Sequence, residues 1–226
     1  MNIGFVVAMS VEYIPFLKRL GTFCESLFLA GMEFSRYELN GDNIYLAKCG
    51  IGEVASSTAT ALCIGHFGCK YIVNFGLVGS LVPGKEGTLL AVRDVVHYDS
   101  DLTAFGTPLG AAADFSIPFI PADTRMLDLL SDDGLPAMRL ASGDKFISNP
   151  SVGDSLRSAF GAHVCDMEGA GIALVCARSQ VHFTMIKLVS DGADGDATAD
   201  FEKNKMRSFG RAFDVVMRVI SFASIC

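Results

Sequence analysis

Apolar residues along this chain gather in many short runs. β-Branched and aromatic side chains dominate residues 3–8, 32–39, 43–48, 71–75, 89–96, 138–142 and 183–189, and each run reads as a strand. Between many of them, apolar positions at helical spacing predict helices over 11–20, 54–67, 125–130, 167–178 and 201–222. Strands separated by helices imply a largely parallel sheet with covered faces. Residues 98–122 break the rhythm with three prolines, small side chains and no period, and read as a long loop of a length often tied to function. No internal repeat, low-complexity tract or linker interrupts the chain, so the expectation is α/β and a single domain over residues 1–226.

Composition narrows the partners. Half the residues are hydrophobic and 19% are charged, which suits a packed core and argues against disorder. A net charge of −7 without a lysine or arginine cluster speaks against nucleic acid and anionic membrane surfaces, and leaves a small molecule as the expected partner. No basic region precedes the first apolar run, and nowhere do 18 uncharged apolar residues follow one another; no signal peptide and no membrane span are expected. Seven cysteines (Cys24, Cys49, Cys63, Cys69, Cys165, Cys176, Cys226) form an odd set without CxxC spacing and mostly sit in apolar runs, so they read as reduced core thiols of a cytoplasmic protein.

In open α/β sheets ligands bind beyond the carboxyl ends of the strands. Candidate chemistry falls there repeatedly: Glu12 after the first run, Gly50 to Gly52 after an early one, Gly76 to Gly79 after the run at 71, Asp144 to Ile147 after that at 138, and Ser190 with Asp191 after that at 183. In AMSVE, Ser10 is a possible N-cap and Glu12 lies in a first helical turn, where complementing the helix dipole is reason enough for a carboxylate. CGIGEVASSTAT is a glycine turn entering a helix, either an anion cradle or a tight strand-to-helix turn, and lacks both the P-loop and dinucleotide fingerprints; NFGLVGSL repeats the theme. GADGDATADFE is acidic, yet lacks the ligand alternation of a calcium loop, and the four histidines have no ligand spacing. KLVSDGAD delivers Ser190 and Asp191 from an apolar strand, where a partly desolvated carboxyl can work as an acid, although a turn aspartate explains it too. In VCDMEGAGIALVCA, Glu168 enters a run of small and apolar residues, with Asp166 read as a structural or capping acid beside it. Glu12, Glu168 and Asp191 together match the needs of detaching a base from a sugar: an acid for the base, a group to orient water, and acceptors for sugar hydroxyls.

At this point the sequence resembles the nucleoside phosphorylase superfamily, and most of all its 5'-methylthioadenosine/S-adenosylhomocysteine nucleosidases. The resemblance runs through nearly the whole chain in IGFVVAMSVE, CGIGEVAS, NFGLVGSL, DLTAFG, ASGDKFI, DMEGAGIA and KLVSDGAD, in family order. It implies one α/β domain with a central mixed, partly barrelled sheet flanked by helices, needing no metal or cofactor. It implies that Glu12 activates water, that Asp191 beside Ser190 protonates the purine toward N7, that Phe146 and Ile147 hold the base, and that Met167 and Glu168 form the ribose site. Met9, Ile51 and Phe201 match lining positions, and a homodimer is implied in which Leu102 and Phe105 reach the neighbouring site. Leu77 and Lys187 depart from the family's usual serine and arginine. Alternatives are a phosphorylase, for which CGIGEVAS and NFGLVGSL supply no arginine, a futalosine-type hydrolase, and a nucleoside-binding protein without catalysis.

Overall fold

The computed structural model describes residues 1–113, 115–204 and 210–223. Among the described residues ten strands form: β1 Asn2–Val7, β2 Thr22–Leu29, β3 Met32–Leu39, β4 Asp42–Lys48, β5 Tyr71–Ser80, β6 Leu89–His97, β7 Phe119–Pro121, β8 Ala137–Ser142, β9 Val164–Asp166 and β10 His182–Asp191. All seven expected runs are among them. β7 and β9 are three residues long, too short to show a period, and β2 is exposed along nearly all its length, so it has no buried face to pattern. The expected loop at 98–122 thus contains a strand, and also a 3-10 turn at Thr103–Phe105; Asp114 lies outside the described residues.

Seven α-helices accompany them among the described residues: α1 Ser10–Tyr13, α2 Glu53–Gly65, α3 Thr124–Asp132, α4 Pro150–Phe160, α5 Gly169–Ser179, α6 Ala197–Asn204 and α7 Gly210–Ala223. The helix expected over 11–20 shrinks to one α turn and a 3-10 turn, Ile14–Phe16, because Pro15 brings no N–H to continue the ladder. The helix expected over 201–222 appears as α6 and α7, and residues 205–209 between them lie outside the described residues. Helix α4 was not expected, yet its ends carry standard signals: the Asn149 side chain accepts from Ser151 N–H, Pro150 opens the helix, and Gly161 closes it in the left-handed region.

The sheet is mixed, with five parallel and five antiparallel pairings, which corrects the expectation of a largely parallel one. Two of the antiparallel pairings come from tight turns. Ala30-Gly31 and Asn40-Gly41 take positive φ at both residues and fold β2, β3 and β4 into successive hairpins. Strand β5 organises the rest. One side pairs along its length with β10; the other pairs first with β1 and then, at Gly79 and Ser80, with β9. A ring therefore closes through β5, β10, β6, β8 and β9, while β1, β4, β3 and β2 extend from it as an open arm. The NFGLVGSL glycines consequently lie inside a wholly buried strand rather than in a turn, and Ser190 and Asp191 are the last residues of β10 rather than its successors.

Side chains alternate across β1. Ile3, Phe5 and Val7 pack toward Met126 and Leu130 of α3 and Val216 and Ile220 of α7, while Val6 and Ala8 pack toward Ala59 and Cys63 of α2 and Ile172 and Cys176 of α5. Among the described residues no helix is long and apolar enough to cross a membrane. Five of the six described cysteines are buried and all six are free; Cys24 is exposed on β2, and Cys226 lies outside the described residues.

Candidate active site

A cleft of about 180 Å3 opens where β1, β5, β8 and β10 end.

Glu12 comes from the first turn of α1 and is 2% exposed. Ser10, the expected N-cap, is instead the first helical residue; Met9 is the N-cap, and Glu12 reaches back to accept from Met9 N–H at 2.8 Å and Ala8 N–H at 3.1 Å. Its second oxygen accepts from Leu77 N–H at 3.0 Å. Burial raises its pKa, while these N–H groups and Lys187 pull the other way. The hydroxyl absent at Leu77 does not leave Glu12 unoriented, since the backbone of that residue does the holding.

Asp191 is 2% exposed at the end of β10. Ser190 donates its hydroxyl to Oδ2 at 2.7 Å and Ala193 its N–H to Oδ1 at 3.0 Å. Desolvation raises the pKa of Asp191 against those bonds, and Asp194 and Asp200 add to the rise.

Glu168 stands at the N-cap of α5 without capping it. Its carboxylate accepts from Gly52 N–H at 3.0 Å, and burial together with Asp166 pushes its pKa up to about 7. Behind it Lys187 Nζ and Asp166 Oδ2 pair at 2.7 Å, each side chain 1% exposed. Burial works against the Lys187 charge, but Asp166, Glu168 and Glu12 together hold its pKa above the ordinary value. Asp166 Oδ1 accepts from Glu168 and Gly169 N–H, as expected of a capping acid.

Phe146 and Ile147 follow β8, and Phe201 arrives from α6 so that its ring meets that of Phe146 edge-on at 6.1 Å. Met9, Ile51 and Met167 complete the expected lining, and all ten of these residues, with Ser190, Asp191, Glu12 and Glu168 among them, border one cleft. Leu102 and Phe105 do not; they belong to the 3-10 turn at Thr103–Phe105 and its flank, and Phe105 is 85% exposed. Val78 and Lys145, from the expected stretches Gly76 to Gly79 and Asp144 to Ile147, also line the cleft; sequence reasoning passed over Cys165, which lines it too, and Glu53, a buried acid whose pKa burial pushes up to about 8, directly behind Glu168. Among the described residues no group of three potential ligands is placed to hold a metal ion.

A ring of five strands with an open arm, and carboxylates from α1, α5 and β10 on one cleft, define a member of the Phosphorylase superfamily, whose family model matches residues 2–221. The 5'-methylthioadenosine/S-adenosylhomocysteine nucleosidase of Shewanella denitrificans is 34% identical over 210 residues, 89% of this chain and 91% of its own. That of Geobacillus kaustophilus is 30% identical over 96% of this chain and 95% of its own. Within the superfamily, the chain belongs to the 5'-methylthioadenosine/S-adenosylhomocysteine nucleosidase family and is an N-glycosidase. Among solved structures, the futalosine hydrolase of Helicobacter pylori superposes with a TM-score of 0.89 at 30% identity, covering 96% of this chain and 97% of that one. The 5'-methylthioadenosine/S-adenosylhomocysteine nucleosidase of Helicobacter pylori, complexed with a substituted pyrrolidin-3-ol, gives 0.89 at 29% identity, covering 100% and 99%.

Proposed function

We propose that this chain, acting as one domain, hydrolyses the N-glycosidic bond of 5'-methylthioadenosine or S-adenosylhomocysteine and releases adenine and the thioribose. The observation that carries the reading is the buried acid Asp191, held by Ser190 and raised in pKa, on the same cleft as Glu12 and Glu168. Asp191 donates its proton toward N7 of the purine, so the C1'–N9 bond breaks with its electron pair leaving on a neutral base. Glu12, pinned by three N–H groups, orients a water and takes its proton as the water oxygen bonds to C1'. Glu168 accepts from the sugar hydroxyls beside Met167, and Phe146, Ile147 and Phe201 grip the base, while Met9 and Ile51 line the sugar side. The reading requires no metal or cofactor, and it suits a cytoplasmic protein with free thiols.

Phosphorolysis finds little support in this cleft. Among the described residues the cleft is lined by one lysine, the exposed Lys145, and by no arginine; Lys187, behind the lining, is committed to Asp166. A second reading, futalosine as the nucleoside, is favoured by the likeness to the futalosine hydrolase of Helicobacter pylori. The 5' pocket is completed in a homodimer, with Leu102 and Phe105 of one protomer reaching the other's cleft; the exposed Phe105 ring supports this. Asp191→Asn should lower turnover by about 10²- to 10⁴-fold while leaving the affinity for an unreactive nucleoside analogue close to that of the parent. Unchanged turnover would remove Asp191 from the reaction.

A further inference from the structure

An N-cap side chain ordinarily turns back on its own helix and accepts from the N–H two or three residues on. Glu168 occupies that position on α5, yet makes no such bond. Its carboxylate faces the cleft and the Gly52 N–H. The orphan donors of the first turn still need acceptors in a buried place. Asp166 takes those of Glu168 and Gly169, and Glu53 Oε2, from the first residue of α2, takes that of Gly171. The other oxygen of Glu53 is fixed by the Ser142 hydroxyl at 2.6 Å. Ser56 of α2 donates to the Glu168 carbonyl at 2.9 Å, so the two helix starts are joined at several points.

We infer that Glu53 is a positioning residue that caps α5 from the neighbouring helix and thereby keeps the Glu168 carboxylate turned into the cleft. Without it, the Gly171 N–H is unpaired in a buried site, and Glu168, the N-cap residue three positions before it, is the side chain whose ordinary place is to accept it, which takes its carboxylate off the sugar. Burial, the main cause, holds Glu53 as a neutral acid up to about pH 8, so it caps without setting a second negative charge beside Glu168. A glutamine serves as well: its amide oxygen takes the Gly171 N–H and its nitrogen faces the Ser142 oxygen.

The inference rests on the reading of Glu168 as the ribose anchor, and the test separates the two. Steady-state kinetics of the full chain are compared on 5'-methylthioadenosine and on its 2',3'-dideoxy analogue, which lacks the hydroxyls Glu168 would accept from. Glu53→Ala should lower kcat/KM for the ribonucleoside about tenfold, mostly through KM, and leave the dideoxy analogue nearly unaffected. Glu53→Gln should restore the parent ratio. Ser142→Ala, a smaller change that frees the Glu53 side chain, should give a weaker loss with the same selectivity, and covers the case in which Glu53→Ala does not fold. Equal losses on both substrates, or no rescue by glutamine, overturn the inference. A Glu168→Ala variant with the parent's ratio of ribo to dideoxy rates overturns the anchor reading itself, and the inference with it.

Discussion

Lys187 and Asp166 form an ion pair in which both side chains are buried. Removing one member of such a pair leaves a charge without water or partner, so Lys187→Met should cost about 3–5 kcal/mol by urea unfolding. Adding Asp166→Leu to it should recover part of the loss; a single variant as stable as the parent would contradict the pairing. Glu168 titrates at about 7. Because its ionised form is the better acceptor for hydroxyls, KM should be flat near pH 8 and rise as pH falls through 7, and Glu168→Gln should flatten that rise. Three of the four acids lining the cleft were legible in the sequence because each is a charge that an apolar run has no packing use for: Glu12 after FVVAM, Asp191 after IKLVS, Glu168 within VCDMEGAG; Asp166, the fourth, was read as a structural or capping acid. Glu53 was not legible, because an acid in the first turn of a helix is ordinary by itself and its acceptor role depends on Gly171 and Ser142, far away in sequence.

At the scale of elements, α2 and α5 approach so closely at Gly171 that a methyl group there would lie 2.5 Å from Ser56 Oγ and 2.6 Å from the Glu53 carbonyl oxygen. Gly171→Ala should therefore push the helix starts apart, destabilise by about 1–3 kcal/mol and weaken nucleoside binding. Gly195→Ala, where nothing lies within 4 Å, is the control and should be silent on both counts. Central strands were readable, since buried β-branched runs such as the one at 183–189 have few other interpretations. The open arm was harder: β2 buries no face, and Asn40-Gly41, a strong hairpin signal, sits between runs that helical reasoning had set into a parallel order. NFGLVGSL misled because glycine was taken for a turn. In β5 its glycines make space instead: a side chain at Gly76 would meet Glu12 and Lys187, and one at Gly79 would meet Asp191.

For the whole molecule, the closed ring concentrates buried acids around one cation, and this links stability to pH. Glu53 has a folded pKa of about 8 against an ordinary 4.5, and Glu168 about 7 against the same value. Between those limits the native state holds protons that the unfolded chain has released. The associated stability is complete below about pH 4.5 and is lost as pH rises through 7 and 8. Asp94 and Asp123, held low by Arg139 and Arg125 against the cost of burial, finish titrating in the acid range and do not offset it. The melting temperature should fall between pH 7 and pH 8.5, and a rise over that interval would contradict the assignment of buried neutral acids. In sedimentation the protein should run as a dimer, with Phe105→Ala raising KM for a 5'-thio nucleoside in protomers that still fold. The central claim is that water, activated at Glu12, attacks the sugar while Asp191 releases the base. It is tested most directly by turning over 5'-methylthioadenosine in phosphate-free, oxygen-18 water: the account predicts free adenine and a methylthioribose carrying one labelled oxygen at C1, at a rate that added phosphate does not change. A reaction that needs phosphate and yields a sugar 1-phosphate without label would contradict it.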